Sequence, residues 1–126
     1  MYPEDLKYTK SHEWVRVADN MATVGITDYA QEELGDIVNI DLPAPGGAVR
    51  AGEPFGSVDS VKAVSDIVSP VTGEVVEVNE DLAASPELIN QEPYGSGWMI
   101  IVRMEDPSEL AELMTSDQYE RFVEAQ

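Results

Sequence analysis

The chain has 126 residues, with 25 acidic side chains against 7 basic ones, a net charge of −18, and no cysteine. That length suits one domain with a core of its own, and the charge repels phosphate backbones and anionic lipid, so nucleic acid and membrane are not expected as partners. Without thiols there are no disulfides, thiolate zinc sites or cysteine nucleophiles, which fits a reducing compartment.

The opening residues, Met1-Tyr2-Pro3-Glu4-Asp5-Leu6, carry neither an apolar signal core nor an Arg-rich transit pattern, and no run reaches membrane-spanning length. A soluble, cytoplasmic protein is expected, or a mitochondrial-matrix one had a transit peptide been removed. The acidity fits either salt adaptation or steering towards basic partner surfaces.

In chain order, Glu13 to Val17 and Ala22 to Ile26 read as strands joined at Asp19-Asn20. A short helix follows. Thr27 can cap it, Tyr29, Ala30 and Leu34 give its apolar stripe, and Gly35 suits its C-terminal left-handed position. Ile37 to Leu42 returns to strand and ends at the turn Pro43-Ala44-Pro45-Gly46-Gly47. Strands dominate again from Val49 to Val78, broken at Ser69-Pro70 and Thr72-Gly73.

Ser85-Pro86 predicts one helical turn, with Ser85 as cap and Pro86 at the first helical position. Trp98 to Met104 reads as a buried strand. Asp106, Pro107 and Glu109 fit the N-cap, N1 and N3 positions of a helix continued by Leu110, Leu113 and Met114. A second helix is expected near Ser116, packing Tyr119, Phe122 and Val123 against the sheets. The architecture is therefore mainly β, with short helices at the margins.

One lysine stands out. Phe55, Ser57, Asp59 and Val61 alternate on one strand face with Val58 and Ser60 on the other, and Val64 to Val68 resumes strand chemistry, so the chain must reverse near Val61-Lys62. Two-residue hairpin turns normally need positive φ, which a β-branched Val tolerates poorly. A type I-like turn or a slightly wider loop that holds Lys62 outward is the expected solution. Gly52-Glu53 and Gly73-Glu74 bracket Lys62 almost evenly, which suggests a folded-over, pseudo-symmetric arrangement, although both glycines could simply open turns.

Other chemistry is sparse. His12 is the only histidine and cannot furnish a zinc ligand set, so it reads as a packing or hydrogen-bonded residue. Neighbours in a strand point to opposite faces, which argues against cooperation between His12 and Glu13. Glu13, beside Trp14 at a strand start, could line a cleft or simply face solvent. No phosphate loop, dinucleotide fingerprint or nucleophile elbow is present. Acidic neighbours such as Glu32-Glu33 and Glu80-Asp81 read as solvated surface.

Taken together, the motifs Tyr8-Thr9-Lys10-Ser11-His12-Glu13-Trp14, Val24-Gly25-Ile26-Thr27-Asp28-Tyr29-Ala30-Gln31, Ser60-Val61-Lys62-Ala63 and Tyr94-Gly95-Ser96-Gly97-Trp98 closely resemble the H proteins of the glycine cleavage system. The resemblance spans nearly the whole chain. It implies a barrel-sandwich hybrid of two antiparallel sheets, like biotinyl and lipoyl domains, in a single domain 1–126 with a lipoyl-binding core of about 23–104 and a helical segment 106–125. It implies lipoate attached by an amide bond to Lys62, with Ser11, Glu13 and Asp66 lining a cleft for the loaded arm.

By the same resemblance the chain is a carrier rather than an enzyme. Its partners are the glycine decarboxylase, the tetrahydrofolate-dependent aminomethyltransferase, dihydrolipoyl dehydrogenase, and a lipoate ligase or lipoyl transferase. The sequence departs from some relatives at Glu32-Glu33, where the family segment can include histidine, and at Asn39, where a bulky apolar residue is more usual. The rivals are a lipoyl domain of a 2-oxo-acid dehydrogenase, which usually sits on a Pro/Ala-rich linker; a biotin carrier, which would flank its lysine with methionines; a lipoate-relay relative; and a plain acidic protein-binding module.

Overall fold

The computed structural model describes residues 2–126; Met1, the first residue of the N-terminal segment read above, lies outside them. Among the described residues nine strands form two sheets, all of whose pairings are antiparallel. The six-stranded sheet runs in the order β1 (Lys7–Tyr8), β2 (Glu13–Ala18), β3 (Met21–Ile26), β9 (Ile100–Met104), β8 (Gly73–Val78), β5 (Ala48–Val49). The three-stranded sheet runs β4 (Ile37–Asp41), β6 (Pro54–Ser60), β7 (Val64–Val68). This is the mainly β sandwich expected. The large sheet also takes in β1 and β2, which lie before residue 23.

Alternation explains the main core. Ala22, Val24 and Ile26 of β3 and Ile100, Val102 and Met104 of β9 are buried at every second position, and they meet Val58, Ile67 and Ile37 of the small sheet. Strand β2 is covered on both faces: Val15 points into this core, whereas Trp14 joins Leu6, Tyr8 and Tyr119 in a second, aromatic cluster. Trp14 faces Gly25 across the ladder, where an added Cβ would lie 2.7 Å from the indole ring. A side chain at position 25 would displace the ring.

The hairpin at Asp19-Asn20 forms as expected, with Asp19 at φ 56° in the turn. Helix α1 (Asp28–Leu34) starts at Thr27, whose hydroxyl accepts from the Ala30 N–H, and ends at Gly35 with φ 80°. The last helix, α4 (Ser116–Glu124), carries a capping box between Thr115 and Gln118 and stacks Tyr119 on Tyr8 at 4.7 Å between ring centroids. No helix among the described residues is long and apolar enough to cross a membrane.

Four local expectations differ from what forms. Residues Pro107–Glu112 form a 3₁₀ rather than an α-helix: Asp106 caps it, but the Glu109 carboxylate reaches across to the Thr72 N–H (2.7 Å) and hydroxyl (2.8 Å) instead of back to its own cap. The turn expected at Ser85-Pro86 is displaced. One helix, α2 (Asp81–Ala84), precedes it with Ser85 as its C-cap, and α3 (Leu88–Gln91) follows.

Phe55 packs against the core with Val58, because a register shift between Pro54 and Gly56 breaks the strict alternation. The two Gly-Glu pairs are not equivalent. Gly52 adopts φ 86° in a turn, while Gly73 lies within β8 so close to β9 that a Cβ would collide with the Arg103 carbonyl.

Candidate functional site

The β6–β7 hairpin ends its ladder at the pair Asp59 and Val64, leaving Ser60 to Ala63 as the tip. The Ser60 N–H donates to the Ala63 carbonyl (2.8 Å), but the return contact is made by a side chain: the Ser60 hydroxyl accepts from the N–H groups of both Lys62 and Ala63, each at 3.1 Å. Because that hydroxyl closes the turn, no residue of the tip needs positive φ. Among the described residues only His12 and Asp19 adopt it without being glycine. The Val61 N–H is in turn fixed to the Asp36 carbonyl at 3.0 Å. Val61 and Lys62 are both exposed.

The lysine stem runs over the end of α1. Its Cε would lie 3.4 Å from a Cβ built on Gly35, and its Nζ lies 3.5 Å from the Glu33 carbonyl. Carbonyls in the last turn of a helix carry partial negative charge and suit a cation. That corner is held by Asn90 of α3, which donates to the Gly35 carbonyl and the Gln31 side chain and accepts from the Ile37 N–H, all at 2.9 Å.

Beyond Glu33 opens a cleft of about 270 Å³ whose walls include Ser11, His12, Tyr29, Glu33, Leu34 and Ser65. A hollow of about 530 Å³ lies on the other side of Ser11, against Pro70 and the 3₁₀ helix. Although larger, it shares neither Glu33 nor α1 with the lysine stem, so size does not select it.

The loop before β2 forms the floor between them. Glu13 is 2 % exposed, and its carboxylate accepts from the hydroxyls of Thr9 (2.7 Å) and Ser11 (2.6 Å) and from the Val68 N–H (3.1 Å). Burial pushes the Glu13 carboxyl above its ordinary range, against the opposing pull of those hydrogen bonds. His12, with φ 75°, turns the other way and places Nδ1 2.8 Å from the Tyr119 hydroxyl. Burial lowers its pKa, with the nearby Glu33 charge acting in the opposite direction.

A protein-family model described as glycine cleavage H-protein matches residues 6–126. The chain belongs to the glycine cleavage H-protein family. It is 56 % identical to the glycine cleavage system H protein of Rubrobacter xylanophilus over 97 % of this chain and 94 % of that one. To the Bacillus subtilis H protein it is 53 % identical, over 97 % and 96 %. A crystal structure of the H protein from Mycobacterium marinum superposes with a TM-score of 0.88 at 41 % identity, covering 94 % of this chain and 96 % of that one. That likeness carries the barrel-sandwich fold, and the family favours the glycine cleavage role over a lipoate relay or a plain acidic module.

Of the residues singled out in the sequence, the structure sets Lys62 at the tip and Ser11 on the cleft wall. Glu13 lies behind Ser11, out of solvent, and Asp66 is exposed on β7, where its neighbour Ser65 faces the cleft instead. Tyr29, Leu34 and Glu33 were legible only as a helix stripe and a solvated acidic pair. The signal that they line a cleft is that α1 buries none of its residues.

Proposed function

We propose that the chain is the lipoyl-bearing carrier of the glycine cleavage system, with lipoate joined by an amide bond to Lys62 Nζ. The observation that carries this reading is a braced, exposed turn whose lysine stem is directed along the end of α1 towards a cleft. The residues fit such a group: Ser60 and the Asp36 carbonyl hold the tip, and Gly35 leaves room for the stem. The cleft walls mix apolar Leu34 and Tyr29 with polar Ser11 and Ser65. When attached, lipoate supplies a redox-active dithiolane that carries a one-carbon amine unit and electrons between enzymes.

The protein's own contribution is display and shelter. A cleft that excludes water slows hydrolysis of a labile load, and the Glu33 carboxylate at its wall suits a cationic amine. In this reading the chain catalyses nothing itself. It is served by a lipoate ligase or transferase and shuttles among glycine decarboxylase, the aminomethyltransferase and dihydrolipoyl dehydrogenase in the cytoplasm. The arm-contacting roles of Ser11, Glu13 and Asp66 belong to the same proposal, with Ser11 acting from the cleft wall, Glu13 from behind it, and Asp66 from the exposed face of β7 beside Ser65 rather than from the wall.

The test is intact mass after co-expression with lipoate and its ligase. One lipoyl adduct is expected, absent from Lys62→Ala; an adduct on Lys7 or Lys10 overturns the assignment. The lipoylated chain should then support glycine-dependent NAD reduction with the other three components, and failure there would favour a lipoate-relay role.

A further inference from the structure

One group in the cleft is left unused by that reading. The His12 ring lines the cleft, 4.8 Å from the Tyr29 ring, yet its Nδ1 is spent inside the protein on the hydroxyl of Tyr119, which is itself 2.7 Å from the Thr27 hydroxyl. Thr27 and Tyr119 are both fully buried, so each hydroxyl proton must have an acceptor within the chain.

The direction of this chain of hydrogen bonds follows. Thr27 Oγ1 already accepts from the Ala30 N–H at 3.2 Å, and among the described residues the one acceptor bonded to its hydroxyl is the Tyr119 oxygen. Tyr119 must then donate onward to His12 Nδ1. The opposite direction would leave the Thr27 proton buried without a partner. His12 Nδ1 is therefore unprotonated, and the single imidazole proton sits on Nε2.

Among the described residues Nε2 makes no hydrogen bond and no buried side-chain nitrogen or oxygen lacks a partner, so Nε2 reaches solvent on the ring that forms the cleft wall. The backbone commits to this placement. His12 holds φ 75°, its N–H donates to the Thr9 carbonyl and its carbonyl accepts from the Thr27 N–H.

We infer that His12 is a specificity-determining residue of the cleft: a neutral imidazole whose Nε2–H is a fixed hydrogen-bond donor for an acceptor atom of the group carried on Lys62, with Tyr119 of the C-terminal helix as the positioning residue that sets its tautomer. This rests on the carrier reading for the identity of the load, but the tautomer does not. The groups facing the ring are Tyr29 and Glu33 from α1 and Tyr119 and Phe122 from α4; Glu33 alone among them is charged at neutral pH. A ring kept uncharged adds no repulsion to a cationic amine in the same cleft. The helix at the far end of the chain thus acts on the cleft without entering it.

Because His12 is the only histidine, its two ring nitrogens can be read by ¹⁵N NMR without ambiguity. The unmodified chain should show a protonated Nε2 and an unprotonated Nδ1. Tyr119→Phe, which keeps the ring stacked on Tyr8, should mix the tautomers and raise the protonation midpoint. A protonated Nδ1 in the parent, or an unchanged pattern in Tyr119→Phe, overturns the inference.

For the load, the lipoylated chain is charged with glycine and the decarboxylase and checked by mass. The Nε2 resonance should move, and His12→Asn, which tolerates positive φ and keeps an acceptor for Tyr119, should lose the load roughly five- to tenfold faster, the loss expected for one hydrogen bond. An unmoved Nε2 or an unchanged lifetime on a verified loaded chain sinks this inference while leaving the carrier role intact; no lipoyl adduct on Lys62 sinks the carrier role instead.

Discussion

The β6–β7 tip and the loop from Thr9 to Glu13 both border α1, the first at Glu33 and Gly35 and the second at Tyr29, and they solve opposite problems. At the tip the turn is held by local or main-chain contacts: Ser60 closes it, Asp36 braces it, and the Lys62 side chain, whose Nζ reaches the Glu33 carbonyl, does not help to close it. In the other loop the side chains themselves are the structure, since Glu13 ties it to β7 and His12 ties it to α4. A tip closed by Ser60 and the main chain leaves the Lys62 side chain out of the turn. A loop built from its side chains gains rigidity and loses tolerance. Among the described residues Arg103–Glu74 is the sole ion pair, half-exposed on both sides, so the excess acidic charge does not hold the fold through salt bridges.

The contrast can be broken in four ways. The largest effect on chemistry should come from Lys62→Arg, which abolishes lipoylation while shifting unfolding free energy by less than about 0.5 kcal/mol, as for exposed sites generally; a large loss of stability by urea titration would contradict the separation of side chain and turn. Glu13→Gln should do the reverse. Its amide would confront the Val68 N–H with a donor or leave a hydroxyl unpaired, costing about 2 kcal/mol by urea titration, with ligase modification of Lys62 retained. Ser60→Ala tests the tip from below: loss of one hydroxyl that accepts two N–H groups should cost about 1 kcal/mol and slow acylation, and an unchanged ligase rate would show that the turn holds without it.

The smallest effect is on pH. The His12 pKa is lowered in the folded chain, so the unfolded chain binds the proton more readily below the ordinary value of 6.5; the stability that His12 contributes is present above that pH and is lost as pH falls through the folded value. Glu13 has the opposite sign: its raised pKa gives stability below 4.5 that is lost as pH rises through its folded value. Melting temperatures followed from neutral pH downwards should therefore fall first in the parent chain and less steeply in His12→Asn. Parallel curves would mean that His12 does not titrate as its burial implies.

Much of this was readable in residue order. Thr27 as a cap, Gly35 at positive φ, the turn at Asp19-Asn20 and the period-2 faces of β3 and β9 all depend on near neighbours, so local chemistry fixes them. Where the reading failed, a distant partner intervened. Glu109 looked like a capping-box residue and was taken by Thr72, and Phe55 moved to the core side through a register shift that only the opposing strand defines. Glu13 could not be told from a solvated carboxylate, because Thr9 and Ser11 are near neighbours but the Val68 N–H that ties it to β7 comes from 55 residues away.

The sequence by itself determined a small acidic β protein with one lysine at a reversal of direction, since alternation, turn residues and charge are properties of neighbours along the chain. The tertiary structure alone decided where that lysine leads and what meets it there. A cleft wall is assembled from α1, β7 and the loop before β2, and the proton on His12 is set by Tyr119, which lies 107 residues away along the chain.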